Sequence, residues 1–210
     1  MKANPKLIFA IAALFFVAGC SSQPSGASKP ASQPAVQPTE TLTGREAFQK
    51  LYIKARGWAP DIMPVRLEST ATRDDDGHNG KAAVWRCTFA SPSRQSIKPY
   101  TWSGSSTLKD IERGVTPGIE DTWNPANASE KTFELSYLEV DSDTAWNVAL
   151  QNGGEKLLKS APHQLTQYAL AWDPLRNSLQ WHVIYGQTGD PAQLRVAVNA
   201  SDGQFLRVEK

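Results

Sequence analysis

Leu179-Gln-Trp-His-Val-Ile-Tyr185, Leu194-Arg-Val-Ala-Val-Asn-Ala200, Ser201-Asp-Gly203 and Gln204-Phe-Leu-Arg-Val208 make up most of the last thirty-odd residues of this chain. Leu179, Trp181, Val183 and Tyr185 alternate with Gln180 and His182. Leu194, Val196 and Val198 alternate with Arg195 and Asn199. A period of two with one apolar face is the mark of a strand half buried in a sheet. Asp202-Gly203 is a hairpin dipeptide, because glycine accepts the positive φ that such turns require. This stretch therefore predicts an antiparallel meander.

Upstream, the same alternation recurs. Met63, Val65 and Leu67 predict a strand, and Ala83, Trp85, Cys87 and Phe89 a second. Ser96 to Trp102 is a third, with Pro99 marking an edge or an irregularity, since proline cannot donate to a ladder. Phe133, Leu135 and Tyr137 predict a further strand, and so does Leu165 to Trp172. Two segments have helical spacing instead. Thr43 and Glu46 form a capping box ahead of Ala47, Phe48, Leu51, Tyr52 and Ala55, with Gly57 as the stop. Asp141 or Ser142 caps a second helix with Ala145, Trp146, Ala149 and Leu150 on one face, stopped at Gly153-Gly154.

These elements form an internal repeat. The helical pairs Ala47-Phe48 and Leu51-Tyr52 match Ala145-Trp146 and Ala149-Leu150. The strand residues Ala83, Trp85, Cys87 and Phe89 match Leu179, Trp181, Val183 and Tyr185 at nearly the same offset. The expected fold class is thus α+β: two tandem units, each a helix packed on an antiparallel sheet. Their bounds are 43–104 and 132–210. Residues 105–131, with Gly114, Pro117, Gly118 and Pro125, are expected as a long connecting loop.

The helix, the strand Trp181-x-Val183-x-Tyr185 and the closing Asn199-Ala-Ser-Asp-Gly203-Gln-Phe205 together resemble the PepSY domain, a cystatin-like arrangement of a helix on an antiparallel sheet. The likeness covers Val140 to Lys210. Thr43 to Gly104 departs from it, with Trp85-Arg-Cys87 in place of Trp-x-Val, and Asn199 stands where the family has Asp. The resemblance implies a location outside the cytoplasm and a role in restraining peptidases or sensing the envelope. It brings no catalytic residues.

The N-terminus is a secretion signal. Lys2 and Lys6 precede an unbroken apolar run from Leu7 to Val17, too short for a permanent span of about 20 residues. Val17-Ala18-Gly19-Cys20 resembles the lipobox of bacterial prolipoproteins. That resemblance implies cleavage after residue 19, a thioether-linked diacylglycerol on Cys20 and acylation of its new amino group. Residues 1–19 are then the signal peptide. Residues 20–42 are rich in Ser, Pro, Gln and Ala and form a disordered tether, having too little apolar surface to offset ordering. Ser21 at the second mature position resembles the outer-membrane sorting class, which places the protein on that membrane facing the periplasm.

The net charge of +1 lacks the basic excess of a nucleic-acid binder. The chemistry-bearing residues are sparse. His78, His163 and His182 have no partner at metal-ligand spacing. Asp74, Asp76 and His78 begin like a calcium loop but lack its later ligands. Ser106-Thr-Leu-Lys109 has the Ser-x-x-Lys spacing of penicillin-interacting enzymes without their other two elements. His182 is expected to face water. Cys87 is expected on the buried face, an inert thiol with no disulfide partner once Cys20 is acylated. Trp102 and Trp123 are expected either to pin the 105–131 loop or to form a contact surface. The functional expectation is a lipid-anchored envelope protein without catalytic residues, metal or cofactor. It would bind a protein or peptide partner, with regulation or inhibition of an extracytoplasmic peptidase as the alternative.

Overall fold

The computed structural model describes residues 37–72, 75–186 and 191–209. The expected signal peptide, Cys20 and the expected tether as far as residue 36 lie outside the described residues, as do Arg73 and Asp74. Residues 36–210 form a compact unit by themselves, and among the described residues no core residue precedes Leu42.

In chain order the strands and helices are β1 (Leu42–Thr43), α1 (Gly44–Ala55), β2 (Met63–Ser69), β3 (Lys81–Ala82), β4 (Val84–Ser91), β5 (Ser96–Ser103), β6 (Gly114–Pro117), β7 (Asp121–Thr122), α2 (Ser142–Ala149), α3 (Glu155–Ser160), β8 (Thr166–Asp173), β9 (Ser178–Tyr185), β10 (Leu194–Asn199) and β11 (Phe205–Glu209). The strand alternation places Leu179, Trp181, Val183, Val196 and Val198 fully inside, beneath the helices. Cys87 is fully buried beside them, on the face its alternation predicts.

The two tandem units expected from the repeat are not what the chain builds. It forms one continuous nine-stranded antiparallel sheet in the order β11-β10-β9-β8-β2-β4-β5-β6, with β7 also on β5. The junction is β2 against β8, registered from Arg66 on Ala171 to Glu68 on Ala169. Tyr168 N–H adds a bond to Ser69 Oγ at 2.9 Å. The fold is therefore mostly β, and α1, at twelve residues, is its one helix of ordinary length. The physical reason is the edge. Two separate sheets would leave β2 and β8 with unpaired backbone groups, and joining them removes both edges. A half-sized unit also buries too small a share of its surface to be comfortable alone.

Three local expectations are corrected as well. Residues 105–131 are not a bare loop, since β6 and β7 pair with β5 along its outer side. Pro99 falls in the gap between them, β6 reaching to Tyr100 and β7 to Ile97, where a missing donor costs least. Residues 135–137 are a 3-10 turn rather than a strand. Phe133 N–H does reach Pro64 O at 2.9 Å, but β2 already has β4 and β8 on its two sides, so no ladder is open there. Finally, Gly153 and Gly154 do not stop the second helix. A wide turn from Leu150 to Gly154, with Gly153 at φ 117°, leads on into α3.

The two main helices meet at their N-termini. In α1 the capping box forms as predicted, with Thr43 N–H on Glu46 Oε2 at 2.9 Å. Asp141 caps α2 and reaches α1 too: Oδ1 accepts from Ser142 N–H at 2.6 Å and from Arg45 N–H at 2.9 Å, and Oδ2 from Thr43 Oγ1 at 2.7 Å. Gly44 N–H donates to Ser142 Oγ, whose own proton goes to Gly80 O at 2.6 Å. Gly80 sits at φ 73° against Asp143, and a Cβ there would lie 2.2 Å from the Asp143 Cα. The tether's last residues are tied down at the same end, with Glu40 N–H on Gly104 O and Leu42 paired to Ala82.

Candidate functional site

The sheet ends in β11, which has a single neighbour, β10, among the described residues. The hairpin before it is built by its turn chemistry. Ser201 N–H donates to Asn199 Oδ1, Gly203 N–H to Asn199 O, and Gly203 takes φ 76°. Ser201 Oγ donates to Tyr137 O, which fixes the turn on the body. A bulge between Ala197 and Val198 then shifts the register, so that Val198 faces Phe205 while Val196 faces Val208. Bulges bend an edge and re-aim its side chains. Here Phe205, Leu206 and Val208 are 43%, 36% and 46% exposed on a strand with one side unpaired. The opposite edge carries β6, four residues long and ending in Pro117, which cannot donate.

Behind β11, on the sheet face away from the helices, lies a polar network. His182 Nδ1 is 3.0 Å from Glu209 Oε2. Glu209 Oε1 also binds Arg207 Nη2, and Arg195 Nε lies 3.8 Å from Oε2. Arg207 Nη1 donates to Gln180 Oε1 at 2.9 Å, and its Nη2 lies 3.7 Å from Asp173 Oδ2. His182 is thus held by a carboxylate and mostly covered, not turned to water as its place on the polar face of β9 suggests. Burial lowers its pKa, outweighing the opposing pull of Glu209. The network ties β9, β10 and β11 together and leaves the apolar side chains of β11 as its open part.

The outer face of α1 is a second surface. Arg45, Phe48, Gln49, Tyr52, Ile53, Leu135 and Leu138 line an apolar groove of about 310 Å³. A wider groove of about 720 Å³ on the other side of Ile53 is lined by Lys50, Lys54, Trp58, Lys98 and Tyr100, among others.

The residues singled out by sequence are scattered. Cys20 and Asp74 lie outside the described residues. Asp76 accepts from His78 N–H at 3.1 Å and pairs with its ring at 3.3 Å, while His78 stacks on Trp146. Ser106 and Lys109 are both exposed, in bends between β5 and β6. The Cys87 thiol pKa is pushed well up by burial, with Glu68 adding to the shift. Trp102 packs into the core opposite Val115 of β6, while Trp123 donates from Nε1 to Glu130 O inside the 105–131 segment and ties that segment to the body only through its backbone N–H on Gln95 O at 3.0 Å. Sequence alternation foresees β11 as a strand but not its exposure, because nothing in the sequence marks the bulge or the free edge.

No family model matches the chain, and no curated protein matches it in sequence. A solved candidate lipoprotein from Clostridium difficile 630 aligns over 78% of this chain and 91% of its own, with a TM-score of 0.49 and 12% sequence identity. No helix among the described residues is long and apolar enough to cross a membrane.

Proposed function

We propose that this protein is a lipoprotein of the bacterial cell envelope, anchored through Cys20, that binds a protein or peptide partner without catalysis. Val17-Ala18-Gly19-Cys20 at the end of the apolar run supports the anchor, and Ser21 favours the outer membrane facing the periplasm. Several acyl chains hold a protein stably where one would not.

The observation that carries the binding reading is the edge of β11, with Phe205, Leu206 and Val208 exposed beside unpaired backbone groups. An extended segment of a partner can add as a further strand there. Its main chain would supply affinity, and contacts with alternate side chains would supply selectivity. A photo-crosslinking residue at Leu206 in intact cells tests this, with Leu175 as control because it is 91% exposed in the β8–β9 turn. A discrete adduct at 206 and none at 175 is the expected result. No adduct at 206, or the same adducts at both positions, would sink the reading. An extracytoplasmic peptidase in that adduct would make the protein a peptidase regulator, the role its terminal strands' resemblance implies.

A further inference from the structure

We propose that the outer face of α1 docks on an anionic membrane surface, with lysines at the phosphate level and Ile53 pressed into the interface. The composition of that face is the first observation. Outward from α1 point Arg45, Lys50, Ile53, Lys54 and Arg56, with Glu46 as the acid. Ile53 is 74% exposed at the centre, between the two grooves. Lys98 adds a further cation across the wider groove. The Arg94 guanidinium and the Lys98 ammonium lie 5.5 and 5.9 Å from the centre of the Trp58 ring. A helix with basic residues flanking a bare aliphatic one, next to an amphipathic indole, has the chemistry of an interfacial contact.

The acids on α1 and around Trp58 have hydrogen-bond partners, while Glu134 and Glu139 stand exposed at the far groove, beside Leu135 and Leu138. Glu46 accepts from the Thr43 backbone at the helix cap. Glu120 accepts from Trp58 Nε1 at 2.9 Å and pairs with Arg94 at 3.3 Å. Asp61 accepts from Ser91 and Ser93, which hold its pKa down at about 2. Lys50, Lys54 and Lys98, with Arg45 and Arg56, outnumber Glu46 on this face and give it a positive sign. The sheet's other face differs, since Arg66 is paired with Glu68, Arg195 with Glu209, and Arg207 with Glu209 and Asp173.

The second observation is where the upstream chain leaves the domain. Pro38 O accepts from Arg113 Nη1 at 2.9 Å, and Glu40 lies 3.6 Å from the same guanidinium. Arg113 immediately precedes β6, whose Val115 and Pro117 line the wider groove. Pro38 and Glu40, the first described residues with contacts to the body, thus lie beside the basic face. Random-coil dimensions for about 17 residues are roughly 20–25 Å, short enough to hold the face near a bilayer that carries the lipid. β6 and β11 are opposite edges of the sheet. At about 4.8 Å per strand, docking by α1 would leave the β11 edge roughly 30 Å away along the sheet and free to pair.

Only this approach geometry rests on the lipid anchor. The test therefore uses a chain beginning at Ser21, which carries no lipid and keeps every core residue among those described. Its partition onto vesicles of one part phosphatidylglycerol to two parts phosphatidylethanolamine is compared with that onto phosphatidylcholine. Both are measured near 0.01 M and 1 M salt, where the screening length is about 30 and 3 Å. The expected result is a roughly tenfold or larger preference for the anionic vesicles at low salt, abolished at high salt. Combined Lys50→Glu, Lys54→Glu and Lys98→Glu should remove the preference, while Ile53→Asp should weaken binding at low salt. Arg66→Glu with Arg86→Glu, on the other face, should leave it intact, and circular dichroism checks that each variant is folded. Equal partition onto both vesicle types, no binding, or indifference to the lysine changes would overturn the proposal and leave α1 as a surface for an acidic protein. Failure of Cys20 to take up lipid in cells would strike the anchor alone.

Discussion

Trp85 and Trp181 meet edge to face at the centre of the core, their ring centroids 6.3 Å apart and their planes at 77°. Each donates its indole N–H to a backbone carbonyl just before a helix, Trp85 to Leu42 O and Trp181 to Val140 O, both at 2.9 Å. Trp85 stands on β4 and Trp181 on β9, so the contact joins strands on either side of the β2–β8 junction. Gly44 at the start of α1 lies against both rings, and a Cβ there would be 2.5 Å from Trp181.

Because both rings belong to one core, Trp85→Ala or Trp181→Ala should cost about 3–5 kcal/mol each. Both should lower a single cooperative transition in calorimetry and denaturant unfolding. The combined loss in the double variant should depart from the sum of the singles, since the two rings touch. Two separable transitions, each moved by one substitution, would contradict a shared core.

Asp141 should matter to two helices at once. Loss of an N-cap acceptor costs about 1–2 kcal/mol, and Asp141→Ala removes the acceptor for Ser142 N–H, Arg45 N–H and Thr43 Oγ1 together. Hydrogen exchange should speed at the first amides of both α1 and α2. Faster exchange confined to α2 would mean that the contact with α1 carries no energy.

His182 gives the stability a pH dependence of definite sign. Its folded pKa is lowered chiefly by burial, so as pH falls through about 6.5 the unfolded chain takes up the proton first. The contribution of neutral His182 is present above that pH and is lost as pH drops towards the folded value. Melting temperatures of the native protein and His182→Gln, compared from about pH 7.5 to 5, should show the native protein losing more. A difference that grows in the native protein's favour as pH falls would assign control to the Glu209 pairing instead, and one that does not change with pH would show that folding leaves the His182 titration where it was.

The anchor is tested on Cys20. The intact protein should take up radiolabelled palmitate and partition into detergent, and Cys20→Ala should abolish the label and slow processing of the precursor. Label retained by the variant would show that the lipid sits elsewhere or that the lipobox resemblance misleads.

Sequence alone determined the local features of this protein. The capping box at Thr43 and Glu46, the second helix's cap at Asp141 or Ser142, the alternation that buries Trp85, Cys87, Trp181 and Val183, and the Asp202-Gly203 hairpin all follow from neighbours a few residues apart. Those patterns say which face of a segment is apolar, and the structure buries those faces. Only the tertiary structure decided which edges pair. The β2–β8 ladder that merges two expected sheets into one, and the β6 and β7 strands in a presumed loop, depend on backbone groups that every residue but proline carries alike. Composition cannot encode such a choice, and it falls to whichever neighbour the packed core brings alongside. The same reason hid the exposed side of β11 and the burial of His182. Both depend on what lies across the sheet, at Ala197 and Val198 in the bulge and at Glu209 over the ring.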